Sequence, residues 1–173
     1  MKRFILGLLL IAVVAMPGTI EAKKKKTTHK TLQEQKYDHL SALERKIVGK
    51  HMLSLQWISW ESFGEVTIKK EADGSISCRG EQLARKCRRG IEQGNIDNDD
   101  YVKLNGVIDI IDAKHFLFIG EIREKVYHLN NGEEVVRKGT FNFEATGNRK
   151  FWRMQEMTHP TDECVDYIDI YFK

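Results

Sequence analysis

Glu124, His128 and Arg137 are the residues of this chain best placed to do chemistry, because each falls where the pattern otherwise puts apolar side chains. Between Val102 and Phe143 the positions Leu104, Ile108, Phe116, Phe118, Ile122 and Phe141 fall on one face of an alternating run. A carboxylate or guanidinium buried alone on such a face is costly, so Glu124 and Arg137 are expected to pair. With Phe118 and Phe141 beside them, the trio reads as a polar anchor in an apolar cavity. Such an anchor suits the carboxylate or carbonyl of a small apolar or amphipathic molecule. The plainer alternative is an ion pair at an open rim, close to solvent.

The other reactive residue types do not assemble into motifs. The six histidines are scattered without zinc-ligand spacing, and the acidic run Asn95, Asp97, Asp99, Asp100 lacks the glycine and distal glutamate of a calcium loop. There is no Gly-x-Ser-x-Gly or Cys-Gly-x-Cys. No metal, cofactor or catalytic residue is therefore expected. Three cysteines, Cys78, Cys87 and Cys164, allow one bridge at most. Cys78–Cys87 closes a short loop and is favoured, with Cys87–Cys164 as the alternative. Arg149, Lys150, Trp152 and Arg153 mix cations with aromatic rings, but alternation splits them between two faces, and no nucleic-acid partner is expected. Trp152 reads instead as a core or plug residue.

The elements that position these residues follow a secretion signal. Lys2 and Arg3 precede the apolar stretch Phe4–Met16, then Pro17, Gly18 and a cleavage point after Ala22. No cysteine lies near it, so the chain is read as periplasmic or secreted and not as a lipoprotein, with no membrane span left after cleavage. Removing residues 1–22 takes away Lys2, Arg3 and Glu21 and lowers the net charge from +3 to about +2, too small to argue for a polyanionic partner. Residues 23–48 form a basic tail and a short amphipathic helix, with a Thr31/Glu34 capping box and a stripe of Leu32, Leu40, Leu43 and Ile47.

Residues 49–173 form one all-β domain. Strands are expected at 51–59, 63–70, 75–81, 101–111, 115–128, 134–144, 150–157 and 166–172, giving about eight in up-and-down order. Such an order closes most simply into an antiparallel barrel without edges. Ala72-Asp73-Gly74 pairs Ile68 with Cys78 and Val66 with Gly80. A three-residue loop at Asp112–Lys114 pairs Ile110 with Phe116 and sets Gly106 opposite Gly120, at a sharp bend. Asn131-Gly132, taken as a two-residue loop, pairs His128 with Val135, Ile122 with Phe141 and Gly120 with Phe143.

A helix leading through Gly49-Lys50-His51 into a strand with Trp57 and Trp60, a chain of hairpins, Trp152-Arg153 and the terminal Asp166–Phe172 together resemble a secreted lipocalin-like, calycin-type barrel over residues 49–172. The resemblance implies the barrel and an interior binding site, and no binding residue is carried over from it. The expectation is a non-enzymatic exported barrel with a small ligand inside. Its alternatives are a module that works through its outer surface around a filled core, or a calycin-like isomerase or hydrolase.

Overall fold

The computed structural model describes residues 40–86 and 99–172. The expected secretion signal, basic tail and Thr31/Glu34 capping box, and Cys87 with the bridge expected from it to Cys78, lie outside them. Eight antiparallel strands close into a barrel in sequence order: β1 Gly49–Leu55, β2 Gly64–Lys70, β3 Ile76–Leu83, β4 Tyr101–Asp112, β5 His115–Lys125, β6 Val135–Glu144, β7 Phe151–Met154 and β8 Ile168–Tyr171. Closure comes from β1 pairing with β8 through Leu53↔Ile170 and its neighbours. All eight expected strands are present.

One turn of helix, α1 (Glu44–Ile47), precedes β1. It is entered by a reciprocal pair in which Glu44 N–H donates to Ser41 Oγ and Ser41 N–H donates to Glu44 Oε2, at 3.1 and 2.6 Å. Ile47 is fully buried and Leu40 nearly so. Of the expected stripe the helix itself carries Ile47, which joins the core at the barrel end where β1 begins, the N-terminal mouth, with Leu43 packed against it just ahead of the helix.

Two of the three hairpin registers fall as the turn chemistry dictates. Ile68 pairs with Cys78 and Val66 with Gly80, while Ile110 pairs with Phe116, Ile108 with Phe118 and Gly106 with Gly120. The glycine pair is sterically required. A Cβ on Gly120 would lie 2.5 Å from the carbonyl oxygen of Asn105, and one on Gly106 would lie 2.4 Å from that of Ile119. This is a barrel corner at which backbones touch.

The third register differs from expectation by four residues. Glu124 pairs with Val135, Ile122 with Arg137, Phe118 with Phe141 and Gly120 with Gly139. Asn131-Gly132 does not close a two-residue loop. Asn130 and Asn131 both adopt positive φ, and a 3-10 turn links Leu129 N–H to Val126 and Gly132 N–H to Leu129. Val126 and Leu129 are buried beneath the barrel end, and Asn130 N–H donates to Asp162 Oδ2. Burial of two apolar residues and a long-range hydrogen bond outweigh the local hairpin preference. Because four is even, the faces survive; because the loop is longer, His128 leaves the strand and is exposed.

The inner face is filled. Phe116, Phe118 and Phe143 are fully buried and Phe141 is 7% exposed. Phe116 stacks on Phe143 at 5.2 Å between centroids, while Phe118 meets Phe141 at 6.1 Å and Phe143 at 6.3 Å. Trp152 plugs the N-terminal mouth, with its indole N–H on Ala113 O at 3.3 Å and its ring edge-on to Phe116 and Phe172. Cys78 is buried on the same face as a free thiol, and Cys164 is free as well.

Candidate functional site

The far mouth, opposite α1, gathers the buried charges. Glu124 ends the inner face of β5, Arg137 lies near the start of β6, and the segment 155–167 folds over them with His159 and Asp166. Glu124 is 2% exposed, His159 3% and Asp166 0%. The expected Glu124–Arg137 contact is present, with Arg137 Nη1 3.9 Å from Glu124 Oε1. It survives the register shift because Arg137 is diagonal to Glu124 in either pairing. The guanidinium is nearer to Asp166 Oδ2, at 3.3 Å, and its other nitrogen donates to the carbonyl of Glu156.

Asp166 is well supplied with donors, since the indole N–H of Trp57 reaches Oδ1 at 3.0 Å. Glu124 is not: neither of its buried oxygens has a hydrogen-bond donor. Burial first, and then the charge of Asp166, push its carboxyl up to about 8, against the opposing pull of Arg137. Burial raises Asp166 as well, while Trp57, His159 and Arg137 restrain it. Both carboxyls are thus pushed toward their protonated forms, and Glu124, the one without donors, holds a proton at neutral pH.

His159 faces the pair, with Nε2 3.8 Å from Glu124 Oε1. Its Nδ1 accepts the backbone N–H groups of Thr161 and Asp162 at 3.3 and 3.1 Å, and Asp162 Oδ2 is also 3.1 Å away. Glu124, His159 and Asp166 each bring one ligand-type atom within 4.8 Å of the others. Such a set can relay protons or hold a cation.

Of the residues singled out in the sequence, Glu124 and Arg137 come together here. His128 does not: it is exposed and packs edge-on against Trp57 and Tyr127. Phe141 lies under the Arg137 guanidinium, 5.6 Å from ring centroid to Cζ, while Phe118 sits beyond it in the aromatic core. His159 and Asp166 were missed because loop and strand-start positions carry no periodicity, and both lie more than thirty residues from Glu124 in sequence.

The N-terminal mouth carries a different feature, a pocket of about 910 Å³ between α1, the start of β1, the later half of β2, the β4–β5 turn, Trp152 and Phe172. Val48, Ile68, His51, Trp152 and Phe172 line its floor, and Arg45, Lys46, Lys50, Lys69 and Lys114 its edge. All five cations are exposed. Lys50 pairs with Glu65 and Lys69 with Glu71 at 2.7 and 2.6 Å, in exposed ion pairs that bind weakly.

Among the described residues no helix is long and apolar enough to cross a membrane. No solved structure matches the chain. It is 43% identical over 135 residues to the uncharacterized protein PM1083 of Pasteurella multocida (strain Pm70), covering 78% of this chain and 79% of that one. The PM1083 family model matches residues 22–172, and the chain belongs to that family.

Proposed function

We propose that the protein is an exported, non-enzymatic binding module that takes an amphipathic anion at its N-terminal mouth. The observation that carries this reading is the apolar-floored, cation-edged pocket under α1. The apolar floor suits a hydrocarbon body and the five cations suit one anionic head. The Phe116–Phe118–Phe141–Phe143 packing and the Trp152 plug favour a ligand at the mouth over one in the interior. The eight-strand up-and-down order, with a helix against the first strand, supports the lipocalin-like assignment. Lys2-Arg3 followed by Phe4–Met16 supports export.

The test is titration with a fluorescent long-chain fatty acid, using the matching alcohol as uncharged control. The double variant Lys46→Glu, Lys114→Glu is expected to weaken fatty-acid binding about tenfold or more while leaving the alcohol unchanged. Equal affinity of both variants and both probes defeats the reading.

A second reading, a module that works through its outer surface, is favoured by the aromatic platform formed by the β1–β2 connection and the outside of β7 and β8. Trp60 and Phe63 are 48% and 36% exposed and pack on Tyr167 and Tyr171. Arg153 lies over Tyr167 at 4.0 Å and over Phe151 at 5.1 Å. Rigid aromatic and arginine side chains of this kind are typical anchors of protein interfaces.

A further inference from the structure

We infer that Glu124, Asp166 and His159 form a binding site for a divalent transition-metal ion at the far mouth of the barrel. Two elements supply one ligand-type atom from each residue: the end of β5 brings Glu124, and the 155–167 segment brings His159 and Asp166 from its two ends. These atoms converge within 4.8 Å. Burial this complete is unusual for two carboxylates unless something neutralises them. Arg137 neutralises one. The other, Glu124, meets no donor at either oxygen and is kept neutral only by its own proton, against the charge of Asp166. A cation bound there takes the place of that proton and gives the Glu124 carboxylate a partner.

The surroundings fit a metal as well as the ligands do. Metal-bound carboxylates and imidazoles are oriented by a second layer of hydrogen bonds. Asp166 has the indole of Trp57 at 3.0 Å and Arg137 at 3.3 Å. His159 has Asp162 Oδ2 at 3.1 Å from Nδ1. With Nδ1 accepting two backbone N–H groups, the ring proton sits on Nε2. Ligation through Nε2 moves that proton to Nδ1, which then gives up the N–H groups of Thr161 and Asp162 and donates to Asp162 Oδ2 instead. The charges then close: a dication and Arg137 balance ionised Glu124, Asp166 and Asp162. Two carboxylate oxygens with one imidazole nitrogen select manganese, iron, cobalt or zinc over the all-oxygen preference of calcium and magnesium. The half-buried thiol of Cys164 lies close enough to feel Asp166, Asp162 and Glu124. Its own raised ionisation point makes it a poor ligand at neutral pH.

The full-length protein, stripped with chelator, is titrated with Zn²⁺, Mn²⁺ and Co²⁺, and followed by calorimetry, thermal unfolding and the visible spectrum of Co²⁺. About one ion per chain is expected, with a raised unfolding temperature. Glu124→Gln and His159→Gln are each expected to lower affinity at least roughly tenfold. Glu124→Gln mimics the protonated acid and keeps the fold, so a failure to bind is not a failure to fold. Two results overturn the site: no stoichiometric binding of any of the three ions to wild-type protein, or undiminished binding by Glu124→Gln. Neither touches the amphiphile pocket at the opposite mouth.

Discussion

Arg137 stands 3.9 Å from Glu124, beyond hydrogen-bond reach, because its guanidinium is committed to Asp166 and to the carbonyl of Glu156. Two buried carboxyls thus share one cation. The one left over, Glu124, behaves as an acid in a nearly dry site whose other charged or titratable neighbours are Asp166, His159 and Cys164.

For the metal-free chain this sets a pH dependence. Glu124 ionises at about 8 in the folded state against 4.5 unfolded, so the folded protein holds an extra proton between those values. Its contribution to stability is fully present below about pH 4.5 and is lost as pH rises through about 8. Chemical denaturation across this range is expected to show a falling midpoint, and Glu124→Gln a flatter profile. A wild-type midpoint that rises steadily to pH 8 contradicts the assignment.

Glu44 works in the opposite sense. The Lys70 ammonium at 2.7 Å, aided by the Ser41 N–H, holds its carboxyl down at about 2. That stabilisation is present above about pH 4.5 and fades as pH falls toward 2, loosening α1 from β2. Glu44→Gln is expected to remove the acid sensitivity of amide protection around Ile47, as hydrogen exchange would report.

Arg153 grips Asp169 through two hydrogen bonds of 2.7 Å each across the β7–β8 ladder, and Asp169 is fully buried. Arg153→Ala leaves that carboxylate uncompensated and is expected to cost about 3 kcal/mol or more. Asp169→Asn, which keeps the shape, is expected to cost less. A double-mutant cycle in urea measures the coupling, and additive losses would show that the pair contributes nothing beyond its separate side chains.

Gly120→Ala tests the barrel corner. The added methyl meets the Asn105 carbonyl at 2.5 Å and Gly106 Cα at 2.6 Å, both backbone, so the strands must part. A loss of about 2 kcal/mol is expected. Gly74→Ala, where a Cβ meets nothing within 4 Å but φ is +89°, is expected to cost less, through backbone strain alone.

Burial pushes the Cys78 thiol up to about 12. Alkylation of native protein is therefore expected to modify Cys164 well before Cys78. Equal labelling of the two would mean that the inner face opens readily.

Strand existence, the inner face and two three-residue turns were legible in the sequence because alternation and short turns are local. Ala72-Asp73-Gly74 and Asp112–Lys114 bring their strands into register within a few residues, with no distant partner needed. Parity is equally robust, so Glu124 and Arg137 reach the same face and the same diagonal despite a four-residue error in pairing.

What the sequence could not determine is whatever depends on contacts between distant segments. The β5–β6 loop is long because Val126 and Leu129 find a core to enter and Asn130 finds Asp162, thirty-two residues on. That loop moves His128 out to solvent, and the 155–167 segment brings His159 in beside Glu124. The alternating pattern determines which face is apolar. Only the closed barrel decides that four phenylalanines fill it and that the unsatisfied carboxylate is Glu124, since packing and desolvation are properties of the assembled interior and not of any stretch of chain.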